Sequence, residues 1–340
     1  MIKDLVEVLI TVPFSQVTLD QWRSISPRLK INNQVARRVE EIPVDVWKRV
    51  EVLYTDVVLP DPSLVPALHW LQFNFAGIDF MLDSPLLQKA QVAVTTLSGA
   101  AAPQLAEYAV TMMLALGHHM PDIFKNQNRM EWPHDRSERF GPFELRGSTV
   151  GIVGYGSIGR EIARLLQPFG VTVLATKRDV MHPEDSGYTA EGLGDPPGNR
   201  FTRLYPAQAL KSMLKQCDFV VVCVPYTQET RNMIQEEELA TMKHGSYLIN
   251  IGRGGVVDQV ALLGALQDHH LAGAALDVFS EEPLPPNNPL WRIPNVIITP
   301  HIGGISDFYK DRAAVLFSEN LKRYLDGLPL YNYFDPYRGY

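Results

Sequence analysis

Three ionisable residues stand just past the ends of three apolar runs. Arg253 follows Leu248-Ile249-Asn250-Ile251-Gly252, Glu282 follows Leu276-Asp277-Val278-Phe279, and His301 follows Ile297-Ile298-Thr299-Pro300. If these runs are strands of an open parallel sheet, their carboxyl ends share one edge, which is where such sheets bind ligands. The three side chains suit reduction of a carbonyl that lies beside a carboxylate. A histidine can give and take a proton near neutrality, and a Glu282 carboxylate beside it would favour the charged imidazolium. The planar fork of Arg253 can hold a substrate carboxylate and polarise the carbonyl. Taken singly, each residue has a plain structural explanation: a surface arginine, an acidic pair with Glu281, a hydrogen-bonded histidine. Their convergence on one edge is what points to chemistry.

A hydride donor for such chemistry is suggested by Gly154-Tyr155-Gly156-Ser157-Ile158-Gly159, which follows the apolar run Thr149–Val153 and opens a helical pattern of Ile158, Ile162, Leu165, Leu166 and Phe169. In that context the three glycines serve, in order, a tight turn, close approach to a pyrophosphate, and close packing of helix on strand. The pyrophosphate would sit on backbone N–H groups around Ser157 and Ile158. At the end of the next run stand Lys177 and Arg178, where a cofactor with a free ribose 2′-hydroxyl normally meets an acid. Two cations there would pair with a 2′-phosphate, so NADP(H) is expected over NAD(H), with neighbouring Asp179 leaving NAD(H) open.

These residues need a scaffold of alternating strands and helices. Val6–Val12, Val50–Tyr54, His69–Phe75 and Val92–Leu97 read as strands of a first α/β unit. Ala101–Met120 reads as one long helix from the spacing of Leu105, Tyr108, Ala109, Met112, Met113 and Leu116. The polar and aromatic stretch Pro121–Arg146, with Trp132, Phe140 and Phe143, is expected to bury its rings against another subunit. Beyond Thr149–Val153, further strands are expected at Val171–Thr176, Phe219–Val224, Tyr247–Ile251, Ala274–Phe279 and Val296–Thr299. Met181–Arg203, rich in Gly, Pro and Asp, reads as a surface loop; Ser306–Leu325 reads as a helix, and Gly327–Tyr340 as an irregular tail. The fold class is therefore α/β, with two Rossmann-like doubly wound parallel-sheet domains and a cleft between them. Residues 1–100 with 305–340 would form a substrate domain, and 101–304 a dinucleotide domain carrying an arm at about 121–146.

The strings Gly154–Gly159, Asn250-Ile251-Gly252-Arg253-Gly254-Gly255, Asp277-Val278-Phe279-Ser280-Glu281-Glu282-Pro283-Leu284-Pro285 and Pro300-His301-Ile302-Gly303-Gly304 resemble the D-isomer-specific 2-hydroxyacid dehydrogenase family, in its glyoxylate or hydroxypyruvate reductase-like form. The match runs over most of Leu71–Ile305. The resemblance implies that Arg253 binds the substrate carboxylate and that His301, paired with Glu282, is the acid/base catalyst. It implies that Asp277 lies near the nicotinamide carboxamide and that Ala76 and Gly77 present N–H groups to the substrate. Val224, Pro225 and Thr230 would line the adenosine side, with Ile251 and Gly303 also in the cofactor set, and the arm with Trp132 would embrace a second copy to make a homodimer. The expected reaction is reduction of a small 2-oxo acid to the D alcohol. Three departures stand out: Cys223 where the family often has histidine, Lys177 in place of an acid, and a long 181–203 insertion.

Related activities divide on the same residues. Formate dehydrogenases carry glutamine where Glu282 stands, and phosphoglycerate dehydrogenases often append a regulatory domain, which is not expected here after the closing helix and tail. Phosphite dehydrogenase keeps the same three residues, and nicotinamide-binding corepressors keep them without turnover but with an acid in place of Lys177. There is no G-x-S-x-G elbow for serine hydrolysis, and the adjacent pairs His118-His119 and His269-His270 do not share a helix face as metal ligands would.

Composition agrees. The 340 residues suit about two domains. Lys and Arg total 31 against 38 Asp and Glu, a net charge of −7 that argues against a nucleic-acid partner. Cys217 and Cys223 sit in or beside an apolar run and read as core thiols of a reducing compartment. Lys3, Asp4 and Glu7 interrupt the only candidate leader, and no run reaches the roughly 20 apolar residues of a membrane span, so a cytoplasmic protein is expected.

Overall fold

The computed structural model describes residues 5–336, 338 and 339. Lys3 and Asp4, which count against a leader, lie outside the described residues, as do two positions of the expected tail. In chain order the elements begin β1 (Val6–Ile10), α1 (Gln16–Ile25), β2 (Leu29–Asn33), α2 (Val44–Trp47), β3 (Val52–Thr55), β4 (Trp70–Phe73) and β5 (Ala93–Thr95). They continue with α3 (Ala102–Gly117), α4 (Met120–Arg129), α5 (Arg136–Arg139), β6 (Thr149–Val153), α6 (Ser157–Leu166), β7 (Thr172–Lys177), β8 (Arg203–Pro206) and α7 (Leu210–Leu214). The last are β9 (Phe219–Val222), α8 (Glu236–Thr241), β10 (Ser246–Asn250), α9 (Gln259–Gln267), β11 (Leu271–Leu276), β12 (Val296–Ile298) and α10 (Tyr309–Leu325). The chain divides into two compact units, Met1–Ala101 with Ser306–Tyr340, and Ala102–Ile305.

The first unit holds a five-stranded parallel sheet in the order β2-β1-β3-β4-β5. All four residues of β3 and of β4 are buried, as strands covered on both faces must be. One apolar core gathers Leu9, Leu53, Leu71, Val94 and Trp47. A second, aromatic core gathers around Phe317 of α10, whose ring meets Trp22 at 5.0 Å, Tyr54 at 4.8 Å and Trp70 at 5.2 Å. The Trp22 indole N–H donates to Ser318 Oγ at 2.9 Å, so chain segments almost 300 residues apart are tied into this unit.

The second unit holds a seven-stranded parallel sheet in the order β12-β11-β10-β9-β6-β7-β8. Strand order reverses at β6, whose neighbours β7 and β9 continue the chain in opposite directions across the sheet. Strands β9 and β10 are buried at every residue. Helix α6 buries Ile162, Ala163 and Leu166, and α3 packs against α6 and the β10–β11 region.

Three expectations change. The long helix stops at Gly117, whose carbonyl accepts the Phe143 N–H at 2.9 Å and which lies so close to the Phe143 carbonyl that a Cβ would approach it to 2.6 Å. The chain then turns through His119 (φ 54) and restarts as α4 with Pro121 in its first turn, where proline is tolerated. The arm is thus partly helical. Strands β2 and β8 are additional, the first because Lys30 breaks its apolar run, the second because it closes the supposed loop. Finally, the 181–203 insertion is not simply a surface loop: Asp195 within it is fully buried, for reasons that concern the glycine turn.

Candidate active site

The parallel register aligns Val153, Val222, Asn250, Leu276 and Ile298 in one row across the second unit's sheet. The residues that follow, Gly154, Cys223, Ile251, Asp277 and Thr299, therefore leave the sheet along one edge. The turns after β10, β11 and β12 carry Arg253, Glu282 and His301.

Glu282 and His301 form a pair. Glu282 Oε2 lies 2.8 Å from His301 Nδ1, and Glu282 Oε1 accepts the Phe279 N–H at 2.9 Å. An ionised carboxylate only accepts, so Nδ1 carries the hydrogen of this bond and Nε2 is left for a ligand. The two side chains are 46% and 35% exposed, open enough for a substrate to reach them. His301 itself adopts φ 54, a left-handed conformation rare for a non-glycine residue and often found where a site demands it.

Arg253 sits in a turn that its neighbours hold on both sides. The Gly252 N–H donates to Asn250 Oδ1 at 3.1 Å, Asn250 Nδ2 donates to the Arg253 carbonyl at 3.2 Å, and Arg253 Nη1 donates to the Gly252 carbonyl at 3.0 Å. Gly254 lies against the Phe279 carbonyl and Ser280 nitrogen so tightly that no Cβ fits. The arginine turn is thereby seated on the segment that leads to Glu282.

The glycine turn fits a dinucleotide. Gly154 has φ +109, and a Cβ there would meet Val224 Cγ1 at 2.8 Å. A Cβ on Gly159 would run into the Gly154 carbonyl, which explains its need for glycine at the helix–strand contact. Gly156 faces open space at the start of α6, whose first N–H groups lack intrahelical acceptors and attract anions. Ser157 and Ile158 open that helix.

Other expected cofactor residues are placed as follows. Thr230 Oγ1 donates to the Pro225 carbonyl at 2.6 Å, closing the loop after Val224 onto itself. Ile251 is buried and donates its N–H to the Val222 carbonyl at 3.1 Å. Asp277 is 1% exposed and accepts from Thr299 Oγ1 at 2.6 Å, the Ile302 N–H at 2.9 Å and the Gly303 N–H at 2.9 Å. The Cys223 thiol donates to the Gly154 carbonyl at 3.1 Å, and burial pushes its pKa up to about 12. Ala76 and Gly77 follow β4 in the first unit, with Ala76 exposed. Among the described residues no group of three or more His, Cys, Asp or Glu could hold a metal ion.

The insertion bears on two of the expected cofactor residues. The Tyr155 N–H donates to the Thr176 carbonyl of β7 at 2.8 Å, and its hydroxyl donates to Asp195 Oδ2 of the insertion at 2.7 Å. The Lys177 ammonium donates to the carbonyls of His182 and Glu184; burial foremost, then the charge of Arg160, lowers its pKa. The clasp is completed by Arg160, buried directly after the third glycine. Its guanidinium donates to the Asp195 carbonyl at 2.7 Å, lies over the Tyr155 ring at 4.9 Å and stands 3.6 Å from Asp185. Next to it, Glu161 Oε2 accepts the Gly194 N–H at 2.6 Å. Sequence reasoning passed over Arg160, Glu161, Asp185 and Asp195; the only signal was a charged pair inside an otherwise apolar helix pattern.

Comparison with known proteins agrees with this architecture. Residues 110–303 match the family model of the D-isomer specific 2-hydroxyacid dehydrogenase NAD binding domain. A glyoxylate reductase of Thermofilum pendens is 37% identical over 264 residues, 77% of this chain and 73% of that protein. An (S)-sulfolactate dehydrogenase of Chromohalobacter salexigens is 36% identical over 253 residues, 73% of this chain and 75% of that one. Among solved structures, the D-isomer specific 2-hydroxyacid dehydrogenase from Xanthobacter autotrophicus Py2, in complex with NADPH and MES, superposes with a TM-score of 0.79 at 28% identity, covering 99% of this chain and 100% of that one. With a switch-point glycine turn on one strand and a Glu–His pair on the turns after β11 and β12 along the same sheet edge, this oxidoreductase belongs to the D-isomer specific 2-hydroxyacid dehydrogenase family.

Proposed function

We propose that the protein reduces a small 2-oxo acid to the D-2-hydroxy acid, with His301 as proton donor, Glu282 as its partner and Arg253 as the carboxylate anchor. The observation that carries this reading is the 2.8 Å contact between Glu282 Oε2 and His301 Nδ1 on the ligand edge of the sheet. Gly154, Gly156, Ser157, Ile158 and Gly159 would hold the pyrophosphate of a nicotinamide cofactor, which when bound supplies the hydride. As the carbonyl oxygen takes on negative charge, the imidazolium delivers its Nε2 proton, and the Glu282 carboxylate stabilises the cationic ring that precedes delivery. The Arg253 fork opposes the substrate carboxylate and sets which carbonyl lies beside the donor.

For the cofactor, NADPH is the proposed preference. Lys177 at the end of β7 and Arg178 just past it carry the 2′-phosphate reading by their charge, with Lys177 also donating to carbonyls of the insertion. A homodimer through the arm is proposed from its apolar exposure: Phe124 is 54%, Met130 93% and Trp132 83% exposed.

The test is a panel of glyoxylate, hydroxypyruvate, pyruvate and phenylpyruvate with NADPH and NADH, followed by nicotinamide absorbance. Turnover of one or more 2-oxo acids is expected, with kcat/KM higher for NADPH. His301→Ala is expected to abolish reduction while cofactor affinity stays within about two-fold, since general acid catalysis contributes roughly 10²–10⁴. Preserved kcat in that variant would refute the assignment, and tight cofactor binding without turnover of any 2-oxo acid would favour a binding protein.

A further inference from the structure

The strained backbone at His301 must be held by something, since a left-handed non-glycine residue costs on the order of 1 kcal/mol or more and persists only where its surroundings over-determine it. Glu282 grips the ring but not the main chain. The main chain is gripped from the other side. Both oxygens of Asp277 take the N–H groups that directly follow the histidine, Oδ1 from Ile302 at 2.9 Å and Oδ2 from Gly303 at 2.9 Å. Gly303 fits only without a side chain, because a Cβ would stand 2.9 Å from Asp277 Oδ2.

Asp277 is in turn aimed by a hydroxyl chain. Thr299 Oγ1 lies 2.6 Å from Asp277 Oδ1 and 2.6 Å from the Tyr108 hydroxyl on α3. A threonine hydroxyl has one hydrogen, and an ionised carboxylate can only accept it, so Tyr108 must be the donor to Thr299. Burial foremost pushes the Tyr108 hydroxyl pKa up to about 12, which keeps it a donor at any working pH. One turn earlier on α3, Gln104 Nε2 donates to the Gly304 carbonyl at 2.6 Å. Two side chains of one helix thus hold the loop at both ends of the histidine turn.

We propose that Tyr108 and Thr299 are positioning residues that act through Asp277 to hold His301 in register with Glu282. The proposal rests on the acid/base reading of His301. It differs from the nicotinamide-side role that resemblance gives Asp277, because the hydrogen bonds described run to this chain's own backbone.

The test compares Thr299→Val, Thr299→Ser and Tyr108→Phe in the full-length protein, with circular dichroism to confirm folding. Two readouts are taken: kcat against KM for 2-oxo acid and cofactor, and amide hydrogen exchange over residues 299–305 without ligands. Thr299→Val is expected to lower kcat about 10–100-fold, the scale of a sub-ångström to 1 Å misplacement, with cofactor KM within about two-fold. Exchange at Ile302 and Gly303 should accelerate about ten-fold, the serine variant should recover most of kcat, and Tyr108→Phe should show a smaller loss of the same pattern. Wild-type kcat in folded Thr299→Val overturns the proposal, whether or not exchange accelerates, and so does failure of serine to rescue. If Thr299→Val does not fold, Tyr108→Phe decides alone by the same criteria. A His301→Ala enzyme with preserved kcat would instead refute the catalytic reading, and exchange in the Thr299 variants would still report whether the clamp exists.

Discussion

Replacing Tyr155 by phenylalanine deletes one hydroxyl and keeps the ring that Arg160 covers at 4.9 Å and Phe201 meets edge-on at 5.2 Å. The hydroxyl donates at 2.7 Å to Asp195 Oδ2, in a residue with no exposure, and that oxygen's other donor is the Arg200 N–H at 2.9 Å. Hydrogen bonds to charged groups contribute roughly 1.5–3 kcal/mol, and here the carboxylate stays buried after its partner is gone. A loss of about 2 kcal/mol is therefore expected, which for a unit of this size lowers the melting temperature by about 4–8 °C. Urea unfolding should show a lower midpoint with unchanged slope, and limited proteolysis should cut the 186–200 segment faster, because the insertion loses one of its few anchors. The alkaline limb gives an independent check. Burial and the Asp195 hydrogen bond raise the Tyr155 pKa well above its ordinary 10.0, so the folded state keeps a proton that the unfolded chain releases. That stabilisation is complete below pH 10 and is lost as pH rises through the raised folded value, so above pH 10 the two proteins should differ in the slope of stability against pH. A change under about 0.5 kcal/mol with an unaltered alkaline slope would refute the view that this hydroxyl anchors the insertion.

Three further outcomes follow. Glu282→Gln keeps the size of the side chain and removes its charge; kcat in the reducing direction should fall about 10–100-fold with cofactor affinity unchanged, and a kcat within about two-fold of the parent would argue against charge stabilisation by Glu282. Gly254→Ala places a methyl on the Phe279 carbonyl, so the Arg253 turn must move; a loss of more than about 3 kcal/mol or failure to fold is expected by chemical denaturation, and a neutral effect would contradict the seating described. Burial pushes the thiol pKa values of Cys217 and Cys223 up to about 12, so neither should react with iodoacetamide at about pH 8 until the protein is unfolded, as read by mass spectrometry.

Much of the molecule is legible in its sequence. Strands buried on both faces are rich in apolar residues, which is why β6, β9, β10 and β11 can be located; with the short apolar strand β12 they let the residues past the ends of β10, β11 and β12, Arg253, Glu282 and His301, be assigned to one edge. Glycine patterns carry their own reason, since Gly154 and Gly159 occupy places where a Cβ collides. Edge strands are harder: β2 and β8 include exposed positions and polar residues, and their apolar signal is diluted.

The pairing of polar groups was decided only by the tertiary structure. Nothing in the order of residues tells that Tyr155 and Arg160 would be met by Asp195, or that Lys177 would donate to carbonyls of the insertion. Nor does it show that Tyr108 and Thr299, 191 positions apart, would aim Asp277 at the main chain beside His301. Periodicity in a sequence records which positions lose water on folding, because that free energy is summed over area and tolerates small displacements. A hydrogen bond depends on distance and direction to within a few tenths of an ångström, and only the packed backbone sets those.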